Sequence, residues 1–427
     1  MTSATPTPVI AVIESQLSDF GLTPLRAAHE LGYRAVLVSN DPDRYRAVST
    51  ADEVYAKYID GILTADTNSA EAVIEALTPF HTEGVLRGVM TVTDYNIPIV
   101  ARIAAHFGLP GMDVDAAAAC RDKLVQREMM RAAGVAVPRF TQAVTQEDAL
   151  AAAEEFGLPV VVKPMTESAS IGVSLCRTPE EVAAAHHAIA SVPLNFRGQP
   201  RRPGALVEEY LIGYELSAEI VHDGTEHRVI GLTDKALGPH PYFAELGEIF
   251  PSVLSEPVRT ACSDLVISAL RAVGHDFGAA HVEVKVTQDG PYIVEINGRM
   301  AGAEIPRLIL ESTGIHMQRE VTLLHAGRPA DLTPTQDRAA VSRYLTASTA
   351  GVLAGVEGAD LARRVPGVVA VVLHPKNGKP VKPAQSNLDY LGTVVATADT
   401  AGDALRCADA AVGQLTPVVV AEAGGVA

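Results

Sequence analysis

Residues 281–299, HVEVKVTQDGPYIVEINGR, constrain the chain more than any other stretch. His281, Glu283 and Lys285 alternate with Val282, Val284 and Val286, and Ile293, Glu295 and Asn297 alternate with Tyr292, Val294 and Ile296. Side chains two apart share one face of a strand. Gln288-Asp289-Gly290-Pro291 between the two runs is a turn signal. The pattern predicts a hairpin with Glu283 opposite Glu295. Facing carboxylates repel at cross-strand separations of roughly 5 Å, so something positive should lie between them. A hard divalent cation with oxygen ligands meets that need, and the amide oxygen of Asn297 suits it too. Asn is a poor strand former, so propensity alone does not account for Glu-x-Asn-x-Arg on one strand.

A chain of 427 residues exceeds one ordinary core, so two to four domains are expected. With 48% hydrophobic and 20% charged residues it reads as globular. No apolar run reaches the length of a membrane span, and MTSATPTPVIAVIES has neither a basic start nor an apolar signal core. A soluble cytoplasmic protein is the expectation. The net charge of −17 argues against nucleic-acid or anionic-membrane partners. Cys120, Cys176, Cys262 and Cys407 form no CxxC pair and read as single core cysteines.

Read in order, PVIAVI (8–13), a helix at 22–31, RAVLVSN (34–40), a helix at 69–77, GVMTVT (88–93) and a helix at 96–107 predict an open parallel α/β domain over 1–117. Its first turn lacks GxGxxG. Strand ends near Glu14, Asn40 and Asp94 lie where such sheets bind ligands. A first central subdomain follows at 118–204, with helices at 121–134, 146–156 and 179–190 and a strand at 158–164. An Arg/Pro/Gly-rich loop at 192–204 joins it to a second subdomain at 205–328. That part is predicted to open with a strand at 205–211, to carry strands at 214–222 and 228–232, a long loop at 234–251, a helix at 256–273, the hairpin, and helices at 305–311 and 316–325. A smaller α+β module with strands near 340–346, 368–373 and 393–396 completes the chain over 329–427.

Only eight of the 34 basic residues are lysines, which draws attention to Lys123, Lys163 and Lys235 in mid-chain, where a compact ammonium has replaced the usual guanidinium. Lys163 closes a strand and precedes a loop of small residues, including Thr166, Ser168, Ser170 and Gly172. Small side chains let backbone N–H groups approach an anion, and a neighbouring lysine adds a point charge for phosphate. EEYLIGYE (208–215) follows another apolar strand, and its edge can offer backbone groups to a purine ring.

Taken in this order, RDK at 121–123, KP with the small-residue loop at 163–172, EEYLIGYE, TDK at 233–235 and HVEVKV…YIVEINGR resemble the ATP-grasp superfamily. KPMTESASIGVSL, TDKALGPHPYFAELGEIFPS and the Val/Gly-rich C-terminal module narrow the likeness to bacterial L-amino-acid ligases that make dipeptides. The resemblance implies an ATP-grasp fold: an N-terminal open parallel α/β domain, a two-lobed ATP-binding domain and a small α+β module. It implies an ATP-dependent ligase that activates a carboxylate as an acyl phosphate and joins it to an amine. Relatives of D-alanine–D-alanine-ligase, purine-pathway or carboxylase type share the fold with other acceptors, and a regulatory ATP binder is the non-enzymatic alternative.

By the same likeness, Lys123 and Lys163 would contact ATP phosphates or the adenine edge, with Lys235 also in the nucleotide site. Glu208 and the backbone of Glu209, Tyr210 and Leu211 would read adenine, and Glu215 would take the ribose hydroxyls. Glu283, Glu295 and Asn297 would hold two magnesium ions, with manganese as the alternative metal. Arg299 would bind the transferred phosphoryl group and the substrate carboxylate, with Gly302 beside it. The loop 166–172, with Ser168, Ser170 and Gly172, would close over the phosphates. Small-molecule substrates and a homodimer are the partners implied. Dipeptide ligases often carry a histidine in the segment that reads ELGEIFPS here, where Glu248 stands. A carboxylate there could hold a cationic amine or guanidinium of the substrate.

Overall fold

The computed structural model describes residues 6–17, 19–48, 51–238 and 240–421. Residues 1–5 and 422–427 of the expected terminal domains, and Pro239 in the expected 234–251 loop, lie outside the described residues.

Four parallel strands form the N-terminal sheet, in the order Gly61–Thr64, Arg34–Ser39, Val9–Ile13, Leu86–Met90. Their apolar runs are buried on both faces, as covered parallel strands require. Gly61–Thr64 was not expected from the sequence; at four residues with alternating exposure it is an edge strand with little apolar signal. The chain order reverses between Val9–Ile13 and Leu86–Met90, so the crevice beyond these two strands, at Gln16 and Thr93–Tyr95, is the ligand position of an open α/β sheet.

A second sheet of four strands runs Phe140–Ala143, Ala205–Glu209, Val160–Lys163, Ser174–Cys176. This corrects the expected division at 204/205. The strand after the Arg/Pro/Gly-rich loop returns to the centre of the first lobe instead of opening the second. The chain leaves that lobe at Gly213, where a Cβ would lie 2.1 Å from the Val286 carbonyl oxygen, so only glycine allows the close approach.

The third sheet has eight strands: Gly290–Asn297, Gly278–Thr287, Tyr214–His222, His227–Leu237, Glu245–Phe250, Ala339–Leu345, Gly392–Ala398 and Val368–Leu373. Two expectations are corrected here. The region 234–251 is not one long loop: the strand before it runs on to Leu237, and Glu245–Phe250 returns beside it. Nor do the C-terminal strands form a sheet of their own, because Ala339–Leu345 pairs with Glu245–Phe250 and extends the second lobe. Loop signals from Gly238, Pro241 and Gly247 masked a strand whose partner lies about a hundred residues later. A small sheet of Pro380–Val381, Gly351–Glu357 and Thr416–Val420 completes the module.

One face of the large sheet is apolar. Leu216, Ala218, Ile220, Val282, Val284 and Ile296 pack there against Cys262, Val266, Ala269 and Leu270 of the helix Glu256–Ala272. Another core joins Ile10 and Leu37 of the N-terminal sheet to Leu308, Ile309, Ala340 and Val395, binding the two ends of the chain together. Cys120, Cys176 and Cys262 are buried and unpaired, as expected, whereas Cys407 is partly exposed.

Three histidines lie at the far edge of this assembly. Burial pulls His227 down to about 4, His275 to about 3 and His325 to about 4, from an ordinary 6.5. Their folded values lie below the unfolded one, so their neutral burial costs nothing above about 6.5 and destabilises progressively as pH falls toward 4. The urea midpoint is therefore expected to fall between about pH 7 and about pH 5, and less steeply in His275→Gln. A midpoint with equal pH dependence in both proteins would contradict this.

Candidate functional site

The opposite face of the large sheet is polar and lies against a cavity of about 1000 Å³ walled by all parts of the chain. Register explains its composition. Glu283 stands opposite Glu295, as the alternation predicted, and His281, Glu283 and Lys285 stand opposite Glu219, Ser217 and Glu215 of the neighbouring strand. The register slips between Glu283 and Val284, whose partners are Glu295 and Ile293. Val294 is the extra residue of this bulge. It turns Ile293 into the apolar core, so Ile293 does not share the face of Glu295 and Asn297 as simple alternation implied.

The facing carboxylates are neutralised by lysines. Lys123 Nζ lies 2.8 Å from Glu295 Oε1, and Lys235 Nζ lies 2.8 Å from Glu283 Oε1. Lys235 also meets Glu245 at 2.7 Å and Glu215 at 3.5 Å, and Lys285 meets Glu215 at 3.4 Å. Burial would pull Lys235 down, but the three surrounding carboxylates outweigh it and hold the ammonium well above its usual range. Burial would likewise raise Glu283, yet Lys235 and His281 hold it well below the carboxylate range. For Glu215 burial wins, and it is raised.

With its amide turned so that the nitrogen faces the two acceptors, Asn297 donates to Glu295 Oε1 at 3.0 Å and to Asp94 Oδ1 at 3.1 Å. Among the described residues no group of three or more His, Cys, Asp or Glu side chains is arranged to hold a metal. The set here is instead two carboxylates and one amide, all hard oxygen donors. Magnesium takes few protein ligands and completes its shell with water and phosphate, so this donor set fits it.

Arg299 donates to Asp94 Oδ2 at 2.7 Å and to the Met300 carbonyl at 2.7 Å, while its buried Nε has no partner among the described residues. Burial works against both charges, but Arg299 and Asp94 stabilise each other: the carboxyl is lowered and the guanidinium raised. Ser168 Oγ donates to the same Asp94 oxygen at 2.5 Å. The small-residue loop is thereby docked on the ligand crevice of the N-terminal sheet. Ala169 and Ser170 hold left-handed backbone at φ 56° and 58°, and Gly172 does so at 74°. For the first two this is strain of the kind found in ligand clamps. Ser170 Oγ reaches the Phe243 carbonyl of the other lobe at 3.4 Å. Glu167 in the loop binds Tyr95 at 2.7 Å and is clasped by Arg201 from the 192–204 loop.

Lys163 Nζ lies 2.6 Å from Glu208 Oε2, and Arg127 Nε lies 2.6 Å from Glu208 Oε1. Both Glu208 oxygens are thus taken by cations, which overcome burial and hold it low. Burial, with Arg127 nearby, lowers Lys163. Glu209 is bound by Arg139 at 2.7 Å, and Tyr210 Oη meets His240 Nε2 at 3.0 Å. Gly302 has only the Gln16 amide, at 3.1 Å or more, where a Cβ would point. Glu248 is fully buried rather than a surface acid. Glu14, Asn40, Thr166 and Gly172 do not line this cavity; the other residues singled out by sequence for the site do.

Sequence reading passed over Arg127, Glu167, Glu219 and Glu245, and named His281 only as part of the strand alternation. Glu219 was within reach: it lies four residues beyond Glu215 on one strand face. His281 Nδ1 is 2.9 Å from Glu219 and its Nε2 is 3.5 Å from Glu283. Burial opposes its charge, but the two carboxylates win and raise it to about 10. That stabilisation is fully present below about 6.5 and is lost as pH rises through about 10. In Glu219→Gln the ring, followed by its NMR chemical shift, is expected to titrate well below the wild-type value. An unchanged titration would contradict the assignment of Glu219 as its partner.

Comparison with known proteins accords with this geometry. Residues 25–111 match the ATP-grasp N-terminal domain, residues 156–307 the ATP-grasp domain, and residues 343–420 the L-amino acid ligase C-terminal domain 2. The protein y4rH of Sinorhizobium fredii is 31% identical over 384 residues, covering 90% of this chain and 77% of that one. Alanine–anticapsin ligase of Bacillus subtilis is 27% identical over 334 residues, covering 73% and 69%. The crystal structure of an L-amino acid ligase from Bacillus licheniformis superposes with a TM-score of 0.80 at 20% identity, covering 98% of this chain and 100% of that one. Its three-part architecture is this one, and the chain belongs to the ATP-grasp family, with the C-terminal domain of L-amino acid ligases.

Proposed function

We propose that the protein is an ATP-dependent carboxylate–amine ligase. It joins two amino acids, or an amino acid and a related small acid, through an acyl phosphate, releasing ADP and phosphate. The observation that carries this reading is the convergence of Lys123, Lys163, Glu283, Glu295, Asn297 and Arg299 on one cavity that reaches both terminal modules. A nucleotide-only binder has no use for an always-ionised fork that lines the same cavity as the oxygen-donor set and keeps one buried nitrogen without a partner among the described residues.

A carboxylate does not react with an amine at neutral pH because oxide is not a competent leaving group. Transfer of the ATP γ-phosphoryl group to it supplies one. Lys123 and Lys163 offer point charges for the phosphates, and the edge of Glu209–Leu211 offers backbone groups to adenine. Glu208, bound on both oxygens, serves this reading as the anchor that aims Lys163. Glu215 would take the ribose hydroxyls. Glu283, Glu295 and Asn297 would hold magnesium, which when bound would offset the charge that develops on the phosphates. Arg299 can bind the transferred phosphoryl group and the substrate carboxylate. The 166–172 loop, pinned to Asp94 and Tyr95, keeps water from the acyl phosphate.

ADP and phosphate release with magnesium and ATP, across pairs of common amino acids and with mass detection of products, tests the reading. A peptide-mass product is expected from at least one pair. Its rate should fall by about a thousandfold or more in Glu295→Ala, since that variant loses a metal ligand. ADP release without an amide product, or turnover unchanged in the variant, would overturn the proposal.

A further inference from the structure

The C-terminal strands continue the catalytic face. Lys235 stands opposite Glu248, and Glu248 opposite Ser342, on three adjacent strands. The row that begins at the oxygen-donor set therefore runs without interruption into the module. Tyr344 and Tyr390 stack there, with ring centroids 4.2 Å apart and planes 6° from parallel, and both line the cavity. Ser342 Oγ and Tyr344 Oη each donate to Glu248 Oε2 at 2.8 Å. Glu248 Oε1 has no partner among the described residues, although the side chain is fully buried and forms part of the cavity wall. A buried carboxylate oxygen without a partner is costly, and a group held so firmly on its other oxygen keeps that free oxygen aimed in one direction.

We propose that Glu248 receives the ammonium group of the second substrate and takes the proton it must shed before attacking the acyl phosphate. The proposal rests on the ligase reading above. An N–H bond of the ammonium breaks and an O–H bond forms at Glu248 Oε1. The freed lone pair makes the C–N bond to the acyl carbon. The acyl C–O bond to phosphate then breaks, its electrons leave on phosphate, and the second N–H proton of the attacking nitrogen goes to that phosphate, giving hydrogen phosphate and a neutral amide. Burial, reinforced by Glu245 on the same strand, raises Glu248 to about 8, close to the basicity that exchange with an ammonium requires. Lys235 faces it from one flanking strand and Tyr344 from the other, with Tyr390 against Tyr344 and Glu304 acting on Tyr344. Stacked tyrosine faces beside the carboxylate give the aliphatic part of the amine an apolar wall.

Hydroxylamine separates the two halves of the reaction, because it is a neutral nucleophile at neutral pH and traps acyl phosphates without a base. Hydroxamate formation and amide formation are measured with ATP, magnesium and the common amino acids, in wild type and Glu248→Gln, which keeps the volume and the hydrogen bonds from Ser342 and Tyr344. The expected result is hydroxamate formation within about threefold of wild type and amide formation lower by about a hundredfold. Equal loss of both, or loss of neither, overturns the role of Glu248. Equal loss in Glu248→Gln with a lowered urea midpoint and rescue by Glu248→Asp would assign it to structure alone, which also overturns the role. Absence of hydroxamate from the wild type would overturn the ligase reading itself, a different failure.

Discussion

Everything in this site depends on keeping carboxylates charged where water is scarce. Glu283 and Glu295 face each other across a hairpin, Glu215 and Glu245 lie on two further strands of the same sheet, and Lys123, Lys235, Lys285 and His281 thread between them. Removing one partner from a buried pair typically costs about 3–5 kcal/mol, because the remaining charge has nowhere to go. The network therefore holds as a unit. A bound cation would meet carboxylates already aligned, and the lysines beside them have phosphate oxygens as alternative partners. The same burial that makes the network costly to assemble makes its charges effective, since fields act strongly where water is excluded.

The second organising fact is that the catalytic sheet does not end with the second lobe. Hydrogen bonding of Ala339–Leu345 to Glu245–Phe250 carries three C-terminal strands onto the same sheet, and a shared core ties them to the N-terminal domain. The cavity thus has walls from the two lobes and from both flanks. Asp94 is the junction on the N-terminal side, where Arg299, Ser168 and Asn297 meet. Arg197 of the 192–204 loop reaches Glu14 at 3.2 Å, so the first lobe is tied to that domain as well.

The hairpin was legible because period-two alternation and a turn signal leave a single register, and that register puts the two glutamates face to face. Helices Gln146–Phe156 and Pro179–Ala190 were legible because Thr145 and Thr178 cap them visibly. What escaped was non-local. The bulge at Val294 has no residue signature of its own, so Ile293 was assigned to the wrong face. Ala205–Glu209 reads as a strand from its residues, but nothing local says that it pairs backward with Val160–Lys163. Arg127 looks like any helix arginine until the fold buries it against Glu208. The burial of Glu248 was not legible because its cover, Ser342 and Tyr344, lies nearly a hundred residues away.

The central claim is that a carboxylate oxygen is exchanged for nitrogen through an acyl phosphate formed in this cavity. An amino acid labelled with heavy oxygen in its carboxylate, turned over with ATP and an acceptor amine, reports on that step directly. The account predicts that the released phosphate carries one labelled oxygen and that no AMP forms. Label appearing in AMP, or remaining entirely in the acid while ADP accumulates, would contradict it.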